Sequence, residues 1–352
     1  MPDLQIYDVS GYVHTAAHVS TFSGRSSRMF PVGGIHFFLR ALTTALRMGD
    51  NVACSFDSKS PSVPKYDGYK GNRTIDPKVV AQCEFLYDFL RKCGIACYKG
   101  HGESDDLIYN IVEAHKHDEN MGVYRIYVNG SDYDLCHNVD DECVEYRTCN
   151  SNTNNVNWIN FPKAIGWGDE PILFNTLLAY KVFCGKKADN IKPFVTSDGR
   201  KGIDLYKLYK AYWNSATENK TCEVMRSRIM LEKFISIVIK DSRDVEELGK
   251  RMDCIYPKDL RRFFKDGFKV TDREGADLQL LCDYAYALND RTSMSTLKKM
   301  GFSPRGDDSI SDILSEVFDL GKDFSNGRWI ASKGLNMARS STFSERVSVK
   351  DI

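Results

Sequence analysis

The stretch GHGESDDLIYNIVEAHKH, Gly100–His117, crowds Glu103, Asp105 and Asp106 into four residues ahead of Leu107, Ile108, Ile111 and Val112, which recur at helical spacing. Acid in the first turn of a helix is favoured by the exposed N–H groups and the positive end of the dipole, so alone it reads as a helix start. More acids follow short β-rich runs elsewhere: Asp8 in IYDVSG, Asp57 in SFDSKS, and Asp132 and Asp134 in NGSDYDL. Carboxylates gathered into one place repel one another unless cations neutralise them. Oxygen donors without His or Cys favour Mg²⁺ or Mn²⁺ over zinc. The chemistry such a set supports is two-metal phosphodiester hydrolysis, in which ions about 3.5–4 Å apart activate water and stabilise the leaving oxygen.

The elements that must carry these acids are legible in the N-terminal half. Leu4–Tyr7, Asn51–Phe56, Ile95–Tyr98 and Val123–Val128 read as short buried strands. Between them Gly33–Arg47 is an amphipathic pattern, and Asp76–Cys93 is a helix with Pro77 in its first turn and Gly94 past its end. Alternating strands and helices predict an α/β fold with a parallel sheet, whose strand C-termini share one edge, where such folds bind ligands. The acids after separate strands are expected to converge there.

The chain has 352 residues, enough for a large core domain with an extension, and 48 Lys+Arg balance 48 Asp+Glu, so only local patches can speak for nucleic acid. The 11 cysteines are scattered without CxxC pairs, which predicts reduced thiols in a cytoplasmic setting. His14/His18 and His115/His117 have no further ligands close in sequence and read as ordinary histidines. The apolar run Phe234–Ile239 is too short for a bilayer, and no signal peptide is visible, so no membrane partner is expected.

After Asp57 comes SKSPSVPKYDGYKGNRTIDP, with Lys59, Lys65, Lys70 and Arg73. As a solvated Pro/Gly loop it needs no function. Beside an acidic site it reads as a phosphate clamp that draws an anionic substrate past the carboxylates. The ordered set IYDVSGYVH, PVGGIHFFLRAL, FDSKSPSVPKYDGYKGNR, GESDDLIYNIV, NGSDYDL and KVFCGKKADNIKPF resembles the 5′–3′ exonuclease/flap endonuclease family, in its bacteriophage and bacterial polymerase-associated branches, over roughly residues 4–194.

That resemblance implies a PIN-like parallel sheet flanked by helices over residues 1–190, with an arch or gateway around 58–100. A modified helix–hairpin–helix would follow at 191–215 and a mostly helical region at 216–352. It implies that Asp8, Asp57, Glu103 and Asp105, with Asp106 close by, hold a first Mg²⁺ or Mn²⁺, and that Asp132, Asp134 and Asp189 hold a second. Lys70 and Arg73 would act on the scissile phosphate. The implied partner is DNA with a 5′ flap, a 5′ overhang or a nicked or duplex junction, with RNA of RNA–DNA hybrids as a further substrate. Replication proteins are implied as companions and a monomer as the default state.

Two departures stand out. The family's GDxxDN element is GKKADN here, so Lys186 replaces the first acid and only Asp189 remains, which weakens or partly replaces the second ion. The GxG of the family's hairpin is missing; Lys192, Arg200 and Lys201, with helix Ile203–Trp213 behind them, are left to reach duplex phosphates. RRFFK at Arg261–Lys265 mixes cations and aromatics and reads either as an amphipathic helix with core phenylalanines or as a nucleic-acid surface. The rival readings are a structure-specific DNA-binding protein of the same fold, disabled at Lys186, and an aspartyl-nucleophile phosphohydrolase. The latter needs a second aspartate two residues after Asp8, which IYDVSG lacks.

Overall fold

The computed structural model describes residues 2–22, 29–58, 76–116, 125–140, 143–149, 156–157, 176–216 and 224–326. Lys59, Lys65, Lys70, Arg73, His117 and the polar C-terminal end lie outside the described residues. In chain order the first elements are β1 (Leu4–Asp8), α1 (Val9–Ala16), β2 (Ser20–Phe22), β3 (Met29–Pro31), α2 (Gly33–Met48) and β4 (Asn51–Phe56). They are followed by α3 (Pro77–Lys92), β5 (Cys97–Lys99), α4 (Ser104–His115), β6 (Ile126–Gly130) and β7 (Val144–Thr148). Seven more helices complete the described chain: α5 (Leu177–Cys184), α6 (Gly202–Ala216), α7 (Val224–Val238), α8 (Ser242–Ile255), α9 (Leu278–Ala287), α10 (Arg291–Lys299) and α11 (Ser311–Asn326).

The expected parallel sheet flanked by helices is present, with strand order β5-β4-β1-β6-β7 and every pairing parallel. β1, β4 and β6 are buried along their whole length, as strands covered on both faces must be. Three differences from the sequence reading are local. α1 starts directly after Asp8, although VSGYVHTA is poor in helix formers; burial of Val9, Tyr12 and Val13 outweighs propensity. β6 lies at Ile126–Gly130, two to three residues later than expected, which brings Asp132 closer to the sheet edge. β7 adds an edge strand that VEYRT alone does not announce.

Helices α1, α2 and α3 cover one face of the sheet, and α9, α10 and α11 pack onto them in one core, with Phe89 stacked on Tyr284 at 4.6 Å. α4 covers the other face, and Leu260 and Phe268 from the C-terminal half join its core. A third core gathers α5, α6, α7 and α8 around Phe183, Tyr209, Trp213 and Phe234. The region after residue 216 thus completes all three cores. Thr271 also forms a bridge with Val52 of β4.

α5 and α6 are joined by a hairpin-like connection with bridges Lys186–Ile191 and Val195–Lys201. Gly202 begins α6, donating its N–H to Phe194 O at 2.7 Å. A Cβ there would lie 2.0 Å from the Phe183 carbonyl, so only glycine allows the two helices this approach. Gly202→Ala is expected to destabilise the fold by about 1–3 kcal/mol in urea titration, through overpacking against backbone that cannot retreat.

Candidate metal and phosphodiester site

The parallel pairing sends the C-terminal ends of β5, β4, β1 and β6 to one edge, and each is followed by acid. Across the sheet the order is Glu103 and Asp105 after β5, Asp57 after β4, Asp8 ending β1, and Asp132 after β6.

Ser104, which the sequence reading did not single out, ties three of these elements together. It is buried at the first position of α4. Its N–H donates to Asp57 Oδ1 at 3.0 Å, and its hydroxyl lies 3.1 Å from Asp8 Oδ1 and 2.9 Å from Ser55 Oγ. A serine at N1 between acids is the only hint in the sequence, and it is weak. Gly11 makes room for the Asp8 carboxylate: a Cβ there would sit 2.5 Å from Oδ2. Asp8 is 6% exposed. Burial, and after it the negative charge of Asp57, pushes its carboxyl up to about 7, and the Gly11 N–H and Ser104 hydroxyl offset this only in part. The charges that act on Asp8, from Asp57 and Asp132, are both negative.

Asp106 behaves differently from its neighbours. It forms a capping box with Glu103 at the start of α4, Oδ2 accepting the Glu103 N–H at 3.1 Å. Its Oδ1 accepts the Lys258 N–H at 2.9 Å. Each oxygen thus accepts a backbone N–H, and Asp106 anchors the segment after α8 to the site while lining the same cleft as Glu103 and Asp105. Asn110 adds to the anchor, donating to Lys258 O at 2.6 Å and accepting from Leu260 N at 2.9 Å.

The acids after β6 are held by lysine. Asp132 caps the 3₁₀ turn Tyr133–Asn138, accepting the Asp134 N–H at 2.9 Å. Asp134 pairs with Lys181 Nζ at 2.8 Å through Oδ1 and with Lys186 through Oδ2. The same Lys186 ammonium lies 3.4 Å from both Asp132 Oδ2 and Asp189 Oδ2. Burial works to raise the Asp134 pKa, but the two lysines outweigh it and hold the carboxyl well below the usual range. Burial likewise works to lower Lys186, and Asp134, Asp132 and Asp189 outweigh it and raise the ammonium. Lys181 was missed from sequence, yet a single cation inside the apolar helix LLAYKVFC is the signal of a buried ion pair.

Glu103, Asp105, Asp106, Asp132, Asp134 and Asp189 line a cleft of about 50 Å³ with His137, Lys181 and Asp253–Lys258 at the end of α8; Asp8 and Asp57 lie outside its lining. The Lys258 ammonium is buried there with no hydrogen-bond partner among the described residues. Among the described residues no three His, Cys, Asp or Glu side chains already stand together as a cage for an ion. The chemistry of the donors still separates the two halves. Asp8, Asp57, Glu103 and Asp105 are all-oxygen donors of the kind that suits a hard divalent cation. Asp132, Asp134 and Asp189 already share an ammonium and do not fit a second ion as arranged.

Of the expected duplex contacts, Lys192 and Lys201 are exposed on the hairpin. Arg200 is partly committed, to Asp198 at 3.1 Å and to Val238 O at 3.3 Å.

Asp8 gives a pH dependence whose sign follows from its raised pKa. Between about 4 and about 7 the folded chain keeps a proton that the unfolded chain has released, so this group's contribution falls as pH rises through that window. In chelator at pH 8, Asp8→Asn is expected to be more stable than the parent by on the order of 2 kcal/mol, with the advantage vanishing near pH 4. Lys186→Met is expected to cost about 3 kcal/mol at pH 8 because it strips a cation from three carboxylates. Urea titrations at the two pH values check both.

No family model matches the chain, and no curated protein matches it. Comparison with solved structures finds 5′-exonucleases and flap endonucleases, the family that the motifs resemble. The bacteriophage T5 flap endonuclease, in a pseudo-enzyme–product complex with DNA and metal ions, is 14% identical over 90% of this chain and 99% of that one, with a TM-score of 0.48. The catalytic core of Rad2 in complex with DNA substrate is 14% identical over 84% and 91%, with a TM-score of 0.45. Flap endonuclease-1 from Methanococcus jannaschii is 14% identical over 72% and 92%, with a TM-score of 0.38. At such scores the fold assignment rests on the sheet order and the site geometry of this chain.

Proposed function

We propose that the chain is a divalent-metal-dependent 5′ nuclease that hydrolyses phosphodiester bonds in DNA near 5′ ends or single-strand/duplex junctions, within a PIN-like fold. One observation carries the reading: Asp8 is buried at the centre of the sheet edge, where burial and the carboxylates of Asp57 and Asp132 push its carboxyl up. A buried carboxyl crowded by like charge costs the fold stability, and a bound cation would relieve that cost.

Asp8, Asp57, Glu103 and Asp105 would hold Mg²⁺ or Mn²⁺, with Ser104 fixing the first two. The ion supplies Lewis acidity and an activated water. Lys186, bridging Asp132, Asp134 and Asp189, takes over the charge of the second ion. Lys181 fixes Asp134, and Lys258 offers a further positive charge to the phosphate. In this proposal Lys70 and Arg73 position the scissile phosphate, and Lys59, Lys65, Lys192, Arg200 and Lys201 hold the flanking backbone. Alanine at Lys70 or Arg73 would then lower turnover more than duplex affinity.

The lysine pair also favours a second reading, a structure-specific DNA-binding protein that does not cut. Cleavage of a 5′-flap duplex labelled at each end, in Mg²⁺, Mn²⁺ or chelator, separates the two. The proposal expects metal-dependent product near the junction and a loss of about a hundredfold or more in Asp8→Asn. It further expects faster cutting and tighter metal binding in Lys186→Asp. Tight junction binding with no product in either metal would give the second reading instead.

A further inference from the structure

The proposed reaction leaves RRFFK without a role. The sequence allowed an amphipathic helix, but the segment forms a single 3₁₀ turn, Arg261–Phe263, that splits its aromatics. Phe264 turns inward, 5.6 Å from Tyr98 and 4.8 Å from Phe268 between ring centroids. Phe263 turns outward and is 41% exposed. Its ring lies flat on the exposed imidazole of His101, with centroids 4.3 Å apart and planes 5° from parallel, and the Arg262 guanidinium lies 4.6 Å from its centroid. His101 reaches this position with φ 63, a conformation that costs a non-glycine residue energy.

The ledge adjoins the acidic cleft. His101 is two residues before Glu103, and Lys258, which lines the cleft, is three residues before Arg261. Leu260 packs so close to Gly102 that a Cβ there would sit 3.0 Å from Leu260 Cδ1. Beside the ledge opens a groove of about 440 Å³ lined by Tyr98, Phe263, Phe264, Lys265, Asp266 and Lys269. From Lys258 to Lys269 five cations stand against two acids, Asp259 and Asp266.

We propose that this ledge is a stacking platform for an unpaired nucleobase on the 5′ side of the substrate, with Arg262, Lys265 and Lys269 holding its phosphates. A base extends the Phe263–His101 column whatever its sequence, and its backbone matches the excess of positive charge. The inference deepens the nuclease reading and rests on DNA being the substrate. It assigns the single-stranded part of that substrate to the β5 side of the sheet edge.

The test uses the full chain in chelator, where cutting does not interfere. Fluorescence anisotropy compares a blunt duplex with the same duplex carrying a 5′ single-stranded arm that contains 2-aminopurine. Armed DNA is expected to bind more tightly than blunt, with quenching of the 2-aminopurine. Phe263→Ala and His101→Ala should each weaken armed DNA about tenfold, leave blunt duplex nearly unchanged and abolish the quench, while Phe263→Trp preserves it. Equal affinity of the parent for armed and blunt DNA, or unchanged armed affinity in both alanine variants, overturns the platform even if the parent cuts flaps in Mg²⁺. A parent that binds and quenches but never cuts keeps the platform and sinks the nuclease reading. A parent that binds neither DNA sinks both.

Discussion

Too many carboxylates meet at one sheet edge for the edge to be stable without cations, and the rest of the structure answers that constraint. The parallel sheet makes the crowding unavoidable, because strands that run one way end in one place. Each acid is then handled by a different device. Asp106 is turned into a backbone anchor, Asp132, Asp134 and Asp189 are given lysines, and Asp57 is held by a helix N–H. Asp8 is buried beside the like charges of Asp57 and Asp132.

The lysines change what kind of site this can be. A divalent ion between carboxylates can exchange and can accept a substrate oxygen as ligand, whereas an ammonium brings its own stem and stays tethered. Lys186 is held by the bridge with Ile191 and the 3₁₀ turn Lys187–Asp189, so its charge is built into the hairpin that links α5 to α6. Lys181 comes from α5 itself, 5% exposed at its side chain. Breaking either pair strands buried carboxylates, which makes the half of the site after β6 a stabilising element of the fold. Around Asp8 the balance is the opposite, since burial and the neighbouring carboxylates raise its pKa and cost stability as pH rises.

Much of the frame was legible because it follows local rules. Asn51–Phe56 and Gly33–Met48 show the periodicity of buried strand and amphipathic helix, and Asp76, Pro77 and Gly94 punctuate α3 as capping chemistry requires. The acids could be placed on one edge once the strands were known. What the chain did not announce was set by distant contacts. α1 forms in a poor helical sequence because its apolar side enters a core partly made by α2 and α9 to α11. Asp106 looked like its neighbours, and only the approach of Lys258, some 150 positions later in sequence, reveals its role. Lys186 was visible as a charge reversal, but its three partners and the presence of Lys181 required the fold. The C-terminal helices read as an addition, whereas Leu260, Phe268 and Tyr284 belong to the cores of the sheet.

The central claim, that lysine holds the place of one cation while the Asp8 side takes another, is tested most directly by anomalous diffraction from crystals soaked in Mn²⁺. One strong peak is expected among Asp8, Asp57, Glu103 and Asp105, with the Lys186 ammonium still on Asp134. Two peaks, one of them between Asp132, Asp134 and Asp189 with Lys186 swung away, would contradict it, as would no peak beside Asp8.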